Sequence, residues 1–334
     1  MPMIPGRREG VSSGPSGHRS GETVADVGEF GLIADIIDEL PDDGRLTVGP
    51  GDDAAAFIGD GDTVITTDVL NEGVHFRTDW SDAQDIGARA VAQNLADVEA
   101  MGADVLGVVA AVSVPSDTEA AWVRELGAGM RSECAKAGAS LMGGDLSSSD
   151  RISIAVTAVG RMRGRAPVRR SGARPGDVVA VKGRLGWAAA GLFVLGRGFK
   201  SPRALVAAHR VPEVPYGHGG RAADAGASSM IDVSDGLLAD LGHIADASGV
   251  GFRLRSEAFE VPDALGAVAA TTGSNPLRFV LTGGEDHALV ATFDPVDVPD
   301  DWLIIGRVVA EPGVLVDDAE WDTEEGSGYV HFRN

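Results

Sequence analysis

The sequence predicts an α/β (α+β) protein of two domains. Its 334 residues are long enough for two ordinary cores. β-rich runs alternate with helical stripes up to about residue 165. A fresh alternation then begins at SGARPGDVVAVKG, after Pro, Gly and Ser punctuation at 163–176. The domains are therefore expected at 25–165 and 166–334, preceded by a disordered extension over 1–24.

In GEFGLIADIIDEL, Phe30, Ile33, Ile36, Ile37 and Leu40 recur at helical spacing, which predicts an amphipathic first helix. DTVITTD, running into VLNEGVHF, is β-rich and ends in a histidine-bearing loop. Residues 83–101 form the next helix, with Ile86, Val91, Leu95 and Val98 as its apolar positions. A strand at 105–114, a long helix at 117–137, the LMGGD segment and the alternating strand RISIAVTAV complete the first half. In the second half a Pro-Gly turn leads into DVVAVKG, and helices are expected at 186–196 and 202–210. The strand MIDVS precedes a helix for which Ser234 and Asp235 are N-cap candidates. Strands around 251–255, 278–282, 287–293 and 302–309 are expected to finish the second layer. No short-period repeat is present.

Composition narrows the function. The formal net charge of −22 argues against nucleic acid or an anionic membrane surface as a partner. Apolar residues at 44% and charged residues at 23% describe a globular chain. Cys134 is the single cysteine, so no intrachain disulfide forms and a reducing cytoplasm is the expected setting. The run VLGVVAAVSV is too short to span a bilayer, and residues 1–24 lack the apolar segment of a signal peptide. Neither GxxxxGK[ST] nor HExxH occurs, so a nucleotide site has to be built without the usual phosphate-loop lysine.

The carboxylates are the main chemical clue. Acids end β-like runs or interrupt helical stripes in GDDAA (Asp52, Asp53), ITTD (Asp68), NLADVEAMG (Asp97), GGD (Asp145) and IDVSDG (Asp232, Asp235). Any one of them reads as a cap, a turn or a solvated residue. Together they point to hard cations, because adjacent desolvated carboxylates need positive charge to offset them. Asp97 and Asn94 share one helix face. Dispersed oxygen donors suit several magnesium ions holding a polyphosphate. A zinc site is disfavoured by the lone cysteine and unclustered histidines, and no loop has the acid spacing of a calcium EF-hand. Gly143-Gly144 and Gly283-Gly284 permit close backbone approach to a ligand. Arg170 is either a guanidinium fork for phosphate or an ordinary surface arginine.

The order of these segments resembles the thiamine-monophosphate kinase family, within the ATP-binding superfamily that includes aminoimidazole ribonucleotide synthetase. The resemblance is carried by GEFGLI, GDDAA, TTDVLNEGVHF, NLADVEAMGA, GGD, RRSGARPGD, IDVSDGLLADLGHIA, LTGGED and GYVHF, from Gly28 to Phe332. TTD…EGVHF and the terminal GY.HF single out this member of the superfamily. The resemblance implies a two-domain aminoimidazole ribonucleotide synthetase-like fold, with N-terminal mixed sheets joined into a shared barrel in a homodimer and a C-terminal α/β domain. It implies ATP-dependent phosphorylation of thiamine monophosphate to thiamine diphosphate, assisted by several Mg2+ ions.

By motif position, the resemblance implies that Asp53, Thr66, Thr67, Asp68, Asp97, Asp145, Asp232 and Asp235 hold magnesium. Among these, Asp53, Asp97, Asp145 and Asp235 are the ones on which catalysis is expected to rest. Gly144, Asp145, Arg170 and Ser234 are implied as nucleotide contacts, and His75, Glu285 and Tyr329 as contacts to the thiamine substrate. Asp52 takes no role from the motif. On pattern alone His75 also reads as a loop residue satisfied by backbone, and Tyr329 as a packing residue. Two positions depart from the family pattern: Asn71 replaces an apolar residue after TTDxL, and His287 stands where a tyrosine commonly follows GGED. The competing readings are a cyclo-ligase or hydrogenase-maturation enzyme of the same superfamily, and a non-catalytic acidic nucleotide- or metal-binding protein. Selenophosphate synthetase-like chemistry would need a reactive cysteine near the N-terminus, and Cys134 lies within a predicted helix.

Overall fold

A computed structural model gives the fold and describes residues 61–321 except Thr272, together with 22–27, 31–32, 35–36 and 38. It also describes the backbone of two short paired strands, β1 (Leu46–Val48) and β2 (Ala56–Phe57). Asp52, Asp53, Tyr329, most of the expected first-helix stripe and residues 1–21 of the expected extension lie outside the described residues. The extension's last residues are structured: Thr23 bridges to Glu119, and α1 spans Val24–Val27.

The N-terminal sheet is mixed, as expected. Its strands β3 (Thr63–Asn71), β4 (Asp104–Val114), β5 (Ser140–Ser148) and β6 (Ser153–Arg161) lie in the order β3-β6-β4-β5. The β4–β5 pair is parallel and the other two pairs are antiparallel. Helices α2 (Ala83–Ala100) and α3 (Ala120–Ala137) pack on one face through Ile86, Val91, Leu95, Val98, Val123 and Leu126. Asp82 caps α2 by accepting the Asp85 N–H at 2.8 Å. The α3 helix starts at Ala120 rather than at 117, and ends on Gly138 with φ 67°. Leu32 is fully buried in this core, and Arg124 Nε donates to Asp35 Oδ2 at 2.8 Å. Leu32 and Asp35 are thereby tied to the N-terminal core and to α3.

The second domain contains β7 (Val178–Lys182), α4 (Trp187–Gly196), α5 (Arg203–Arg210), α6 (His218–Asp224), β8 (Ser229–Asp232) and α7 (Leu237–Ser248). After these come β9 (Gly251–Leu254), α8 (Asp263–Ala270), α9 (Leu277–Thr282), β10 (Leu289–Phe293), β11 (Leu303–Val309) and β12 (Gly313–Val316). The strand order is β12-β9-β11-β7-β10-β8, antiparallel except for the parallel β12–β9 pair. Alternation along β7 and β10 divides the apolar residues between two faces. Val179, Val181 and Val290 meet α4, α5, α7, α8 and α9, whereas Ala180, Leu289 and Ala291 meet α6 and Ala100 at the end of α2. Helix α2 therefore belongs to both domains.

Two expectations need correction. Residues 278–282 form α9, not a strand. The β-prone run RFVLT is preceded by Asn275-Pro276, and Asn275 Oδ1 accepts the Leu277 N–H at 3.0 Å. Periodicity alone does not separate so short an apolar run from a strand. Neither Ser234 nor Asp235 is the N-cap residue of α7; Gly236, at φ 121°, occupies that position. The short elements α6, α8 and β12 carried no periodic signal long enough to be read.

The α2–α3 crossing is set by two glycines. A Cβ on Gly87 would lie 2.1 Å from Leu126 O, and one on Gly129 would lie 2.0 Å from Gln84 O. Gly87→Ala and Gly129→Ala are each expected to destabilise the protein by about 1–3 kcal/mol through overpacking. Gly242→Ala, in α7 and facing open space, is expected to be neutral or to stabilise by up to about 1 kcal/mol. Urea unfolding of the three variants checks this; equal midpoints would refute the close crossing.

Candidate active site

The site grows from the β3–α2 contact. Alternation on β3 turns Thr66 and Asp68 toward α2 and Thr67 to the opposite face. Thr66 Oγ1 donates to Asp97 Oδ2 at 2.8 Å, and Asn94 Oδ1 accepts the Asp68 backbone N–H at 2.9 Å. Asn94 is itself held by its Nδ2 donating to Ala90 O at 2.8 Å. Gln93 Nε2 reaches Asp68 Oδ2 at 3.5 Å. The polar residues inside α2 are thus used to dock the strand.

The C-terminal domain supplies the other wall. Asp232, at the end of β8, is 4% exposed, and His287 is 5% exposed. His287 Nδ1–H donates to Asp232 Oδ2 at 2.9 Å, and its Nε2 lies 3.8 Å from Glu285 Oε2. Arg89, buried in α2, donates to the same Glu285 oxygen at 2.6 Å and to His209 O at 3.0 Å. Glu285 and His287 both have positive φ, 70° and 51°. Their N–H groups donate to Ser234 O at 2.8 Å and Val233 O at 2.9 Å, which pins the segment against the SDG turn. A side chain at Gly284 would strike Ser234 O at 2.4 Å, so the GG pair serves this close approach.

Two further acids act as anchors. Asp240 Oδ2 accepts the N–H groups of Ser234, Asp235 and Gly236 at 3.1, 3.2 and 3.1 Å. Asp286 accepts from Gly186 and Ala188 at the start of α4, at 2.5 and 2.8 Å. Asp235, Asp240 and the exposed His243 place ligand atoms within 4.8 Å of one another.

Burial and neighbouring charge shift four of these groups. Burial first, then the neighbouring charge of Asp232 and that of Asp68, push the Asp97 carboxyl up to about 6. Burial, with Asp232 and Asp235, raises Asp240 to about 7. Burial opposes charge on His287, but the hydrogen bond to Asp232 and the proximity of Glu285 outweigh it and raise the imidazole to about 10. Burial would raise Glu285, yet Arg89 and His287 hold it well below the usual carboxylate range. Asp97, Asp68 and Asp232 each offer carboxylate oxygens, and the neighbouring charges of Asp232 and Asp68 act on Asp97. That is the donor chemistry a hard divalent cation requires, so the residues fit magnesium.

The remaining sequence-predicted residues are placed differently. Gly144 and Asp145 are exposed on β5, three strands from β3 in the sheet order, about 14 Å away. Asp145 lies in the register row Val69–Ala155–Ala111–Asp145, on the face turned away from α2. Arg170 is exposed, and its carbonyl accepts from Ser248 Oγ at 2.9 Å, at the far end of α7 from Ser234 and Asp235. His75 Nδ1 accepts the Asn71 N–H at 3.0 Å within its own loop. Arg89, Asp240 and Asp286 were not singled out from sequence. Arg89 had a readable signal, a cation at i+3 from Ile86 inside an apolar stripe. Asp240 had another, an acid four residues after the SDG glycine.

Residues 51–162 match the family described as AIR synthase related protein, N-terminal domain, and 174–318 match its C-terminal domain. The chain is 49% identical over 315 residues to thiamine-monophosphate kinase of Mycobacterium tuberculosis, covering 93% of each. The crystal structure of thiamine monophosphate kinase from Aquifex aeolicus superposes with a TM-score of 0.74 at 31% identity, over 89% of this chain and 99% of that one. A structure described as AaThiL complexed with AMPPCP and TMP superposes at 0.73 with 32% identity, over 92% and 98%.

Asp97 gives a pH test. Its folded pKa of about 6 exceeds the unfolded value of about 3.9, so between the two the folded chain holds the additional proton. The Asp97 contribution is full below the lower value and is lost as pH rises through 6, a loss of about 3 kcal/mol. In the presence of a chelator, the stability of Asp97→Asn minus that of wild type should therefore grow from pH 4 to pH 7. A difference that stays constant in urea unfolding across this range would refute the buried charge.

Proposed function

Because the chain belongs to the thiamine-monophosphate kinases of the AIR synthase-related family, we propose that it transfers the γ-phosphoryl group of ATP directly, in line, to the phosphate of its acceptor. It phosphorylates thiamine monophosphate to thiamine diphosphate using ATP. The observation that carries the mechanistic reading is Asp97 at the junction of the two domains, where burial and the charges of Asp232 and Asp68 raise its carboxyl.

The acceptor oxygen is already ionised at neutral pH, so the chain needs neither a general base nor a covalent intermediate. Its task is alignment and the offsetting of phosphate repulsion. At an effective dielectric of 20, two unit charges at contact interact by about 4 kcal/mol, so repulsion between phosphates is a barrier of that order or more. Magnesium held by the carboxylates would neutralise that charge. Asp97, oriented by Thr66, and Asp232, oriented by His287, present oxygens to the junction. Asp240 holds the backbone of Ser234 and Asp235, a proposed nucleotide contact and a proposed metal ligand. Glu285, kept ionised by Arg89, is suited to the cationic thiazolium of the acceptor. His75 and Tyr329 remain proposed acceptor contacts. Gly144, Asp145 and Arg170 remain proposed nucleotide contacts, and Asp53, Thr67 and Asp145 proposed metal ligands.

The homodimer is likewise proposed. Ile65 is 69% exposed and Val69 43% exposed on the face of β3 turned away from α2. A second sheet against that face would bury them and cover the row containing Asp145.

ADP release measured with and without thiamine monophosphate tests the reaction. Acceptor-dependent ADP together with thiamine diphosphate is expected; nucleotide binding without turnover would support the non-catalytic reading instead. Asp97→Asn is expected to lower kcat at least about a hundredfold, through lost charge stabilisation, while remaining folded. Near-wild-type turnover at saturating magnesium would remove Asp97 from the site. Asp53→Asn should be as severe and Asp52→Asn mild, with equal losses refuting that distinction. Val69→Lys should shift the protein toward monomer in sedimentation; an unchanged state would exclude the β3 face as the interface.

A further inference from the structure

His287 is neither a metal ligand nor a substrate contact in the reading above, yet it is the group that joins the two halves of the site. Its ring is buried between two carboxylates with different proposed partners. Nδ1–H donates to Asp232, on the metal side, at 2.9 Å. Nε2 faces Glu285, on the acceptor side, at 3.8 Å, and has no hydrogen-bond partner among the described residues. The backbone is arranged to hold the ring there. The His287 ring edge faces the Glu285 carboxylate, while Asp286 between them turns away to the start of α4. Both 285 and 287 adopt left-handed φ that non-glycine residues rarely take, and the N–H bonds to Ser234 O and Val233 O over-determine that conformation. On its far side Glu285 is fixed by Arg89, from the helix that also carries Asp97.

We infer that His287 is a positioning residue that fixes the metal-side carboxylate Asp232 and the acceptor-side carboxylate Glu285 relative to each other. The inference rests on the assignment of those two carboxylates given above. The bond to Asp232 leaves that residue's other oxygen directed for a cation, and the ring edge keeps Glu285 from turning away from the acceptor. An imidazole suits the task because its two nitrogens point to opposite sides of one rigid ring. Groups that orient a metal-side carboxylate in this way alter metal affinity on removal about 10- to 100-fold.

Two substitutions separate the two halves of the link. His287→Asn keeps a donor near the Nδ1 position and loses the reach to Glu285. His287→Gln places its amide near the Nε2 position and loses the bond to Asp232. With the full chain, steady-state rates would be measured against thiamine monophosphate and against Mg2+ at saturating ATP. His287→Asn is expected to raise the KM for thiamine monophosphate about tenfold and to leave the Mg2+ activation constant within about twofold of wild type. His287→Gln is expected to do the reverse, and His287→Phe to raise both constants. Equal shifts in the Asn and Gln variants, or a fall in kcat with both constants unchanged, would overturn the inference. Thermal unfolding establishes that each variant is folded. If one is not, Glu285→Gln carries the test: a Mg2+ activation constant raised together with the acceptor KM supports the link, and an unchanged Mg2+ constant overturns it. A wild-type chain without acceptor-dependent turnover would instead remove the assignment of the site, and the inference with it.

Discussion

Repulsion among Asp97, Asp68 and Asp232, held together where β3, α2 and β8 meet, governs how the rest of this molecule is built. Asp232 is buried, Asp97 half-buried and Asp68 exposed, and the charges of Asp232 and Asp68 both act against ionised Asp97. They are brought together because α2 is packed into both domains and cannot move away. One face of the helix lies on the N-terminal sheet, and its last residues enter the core under β7 and β10. Hydrogen bonds then fix the rotamers of the acids: Thr66 on Asp97 and His287 on Asp232. The fold provides the energy, and the polar partners provide the geometry.

The same helix explains the polar groups sealed in the interior. Glu99 accepts the Gly217 and Gly219 N–H groups at 2.7 and 2.8 Å, which ties α2 to α6. Gly219 is small because a Cβ there would meet Glu99 O at 1.9 Å. Arg89 spans to the other side of the junction. Each of these is a long-range bond between domains, so the arrangement of the site and the arrangement of the domains depend on the same contacts. Kinase chemistry between two phosphates gains from such rigidity, since alignment and charge neutralisation are most of what the protein supplies.

Much of the architecture was legible beforehand. The strands DTVITTD, 105–114 and RISIAVTAV, and the helices over 83–101 and 186–196, carry periodicities long enough to exceed local ambiguity. The family, the reaction and the mixed N-terminal sheet followed from motif order and are matched by the relatives and solved structures. Segments of four to eight residues were harder to read. RFVLT has strand-like composition, yet it folds as α9 because Asn275-Pro276 opens a turn and Val280 and Leu281 are buried. Within the site, the acids Asp68, Asp97 and Asp232 could be picked out because charge in an apolar context is conspicuous. Asp240 and Arg89 were passed over although each carried a local signal, since an acid or a cation in a helix is ordinarily solvated.

By itself the sequence determined the longer elements of both domains and the family, because each is written in residue type and short spacing. Only the tertiary structure decided which side chains share charge. Arg89 meets Glu285 across 196 positions, and His287 meets Asp232 across 55. No local pattern encodes such a pairing; it arises when α2 is buried between two sheets. The same packing turned Thr67 away from the cluster by a single step of strand alternation, and set Asp145 three strands from it.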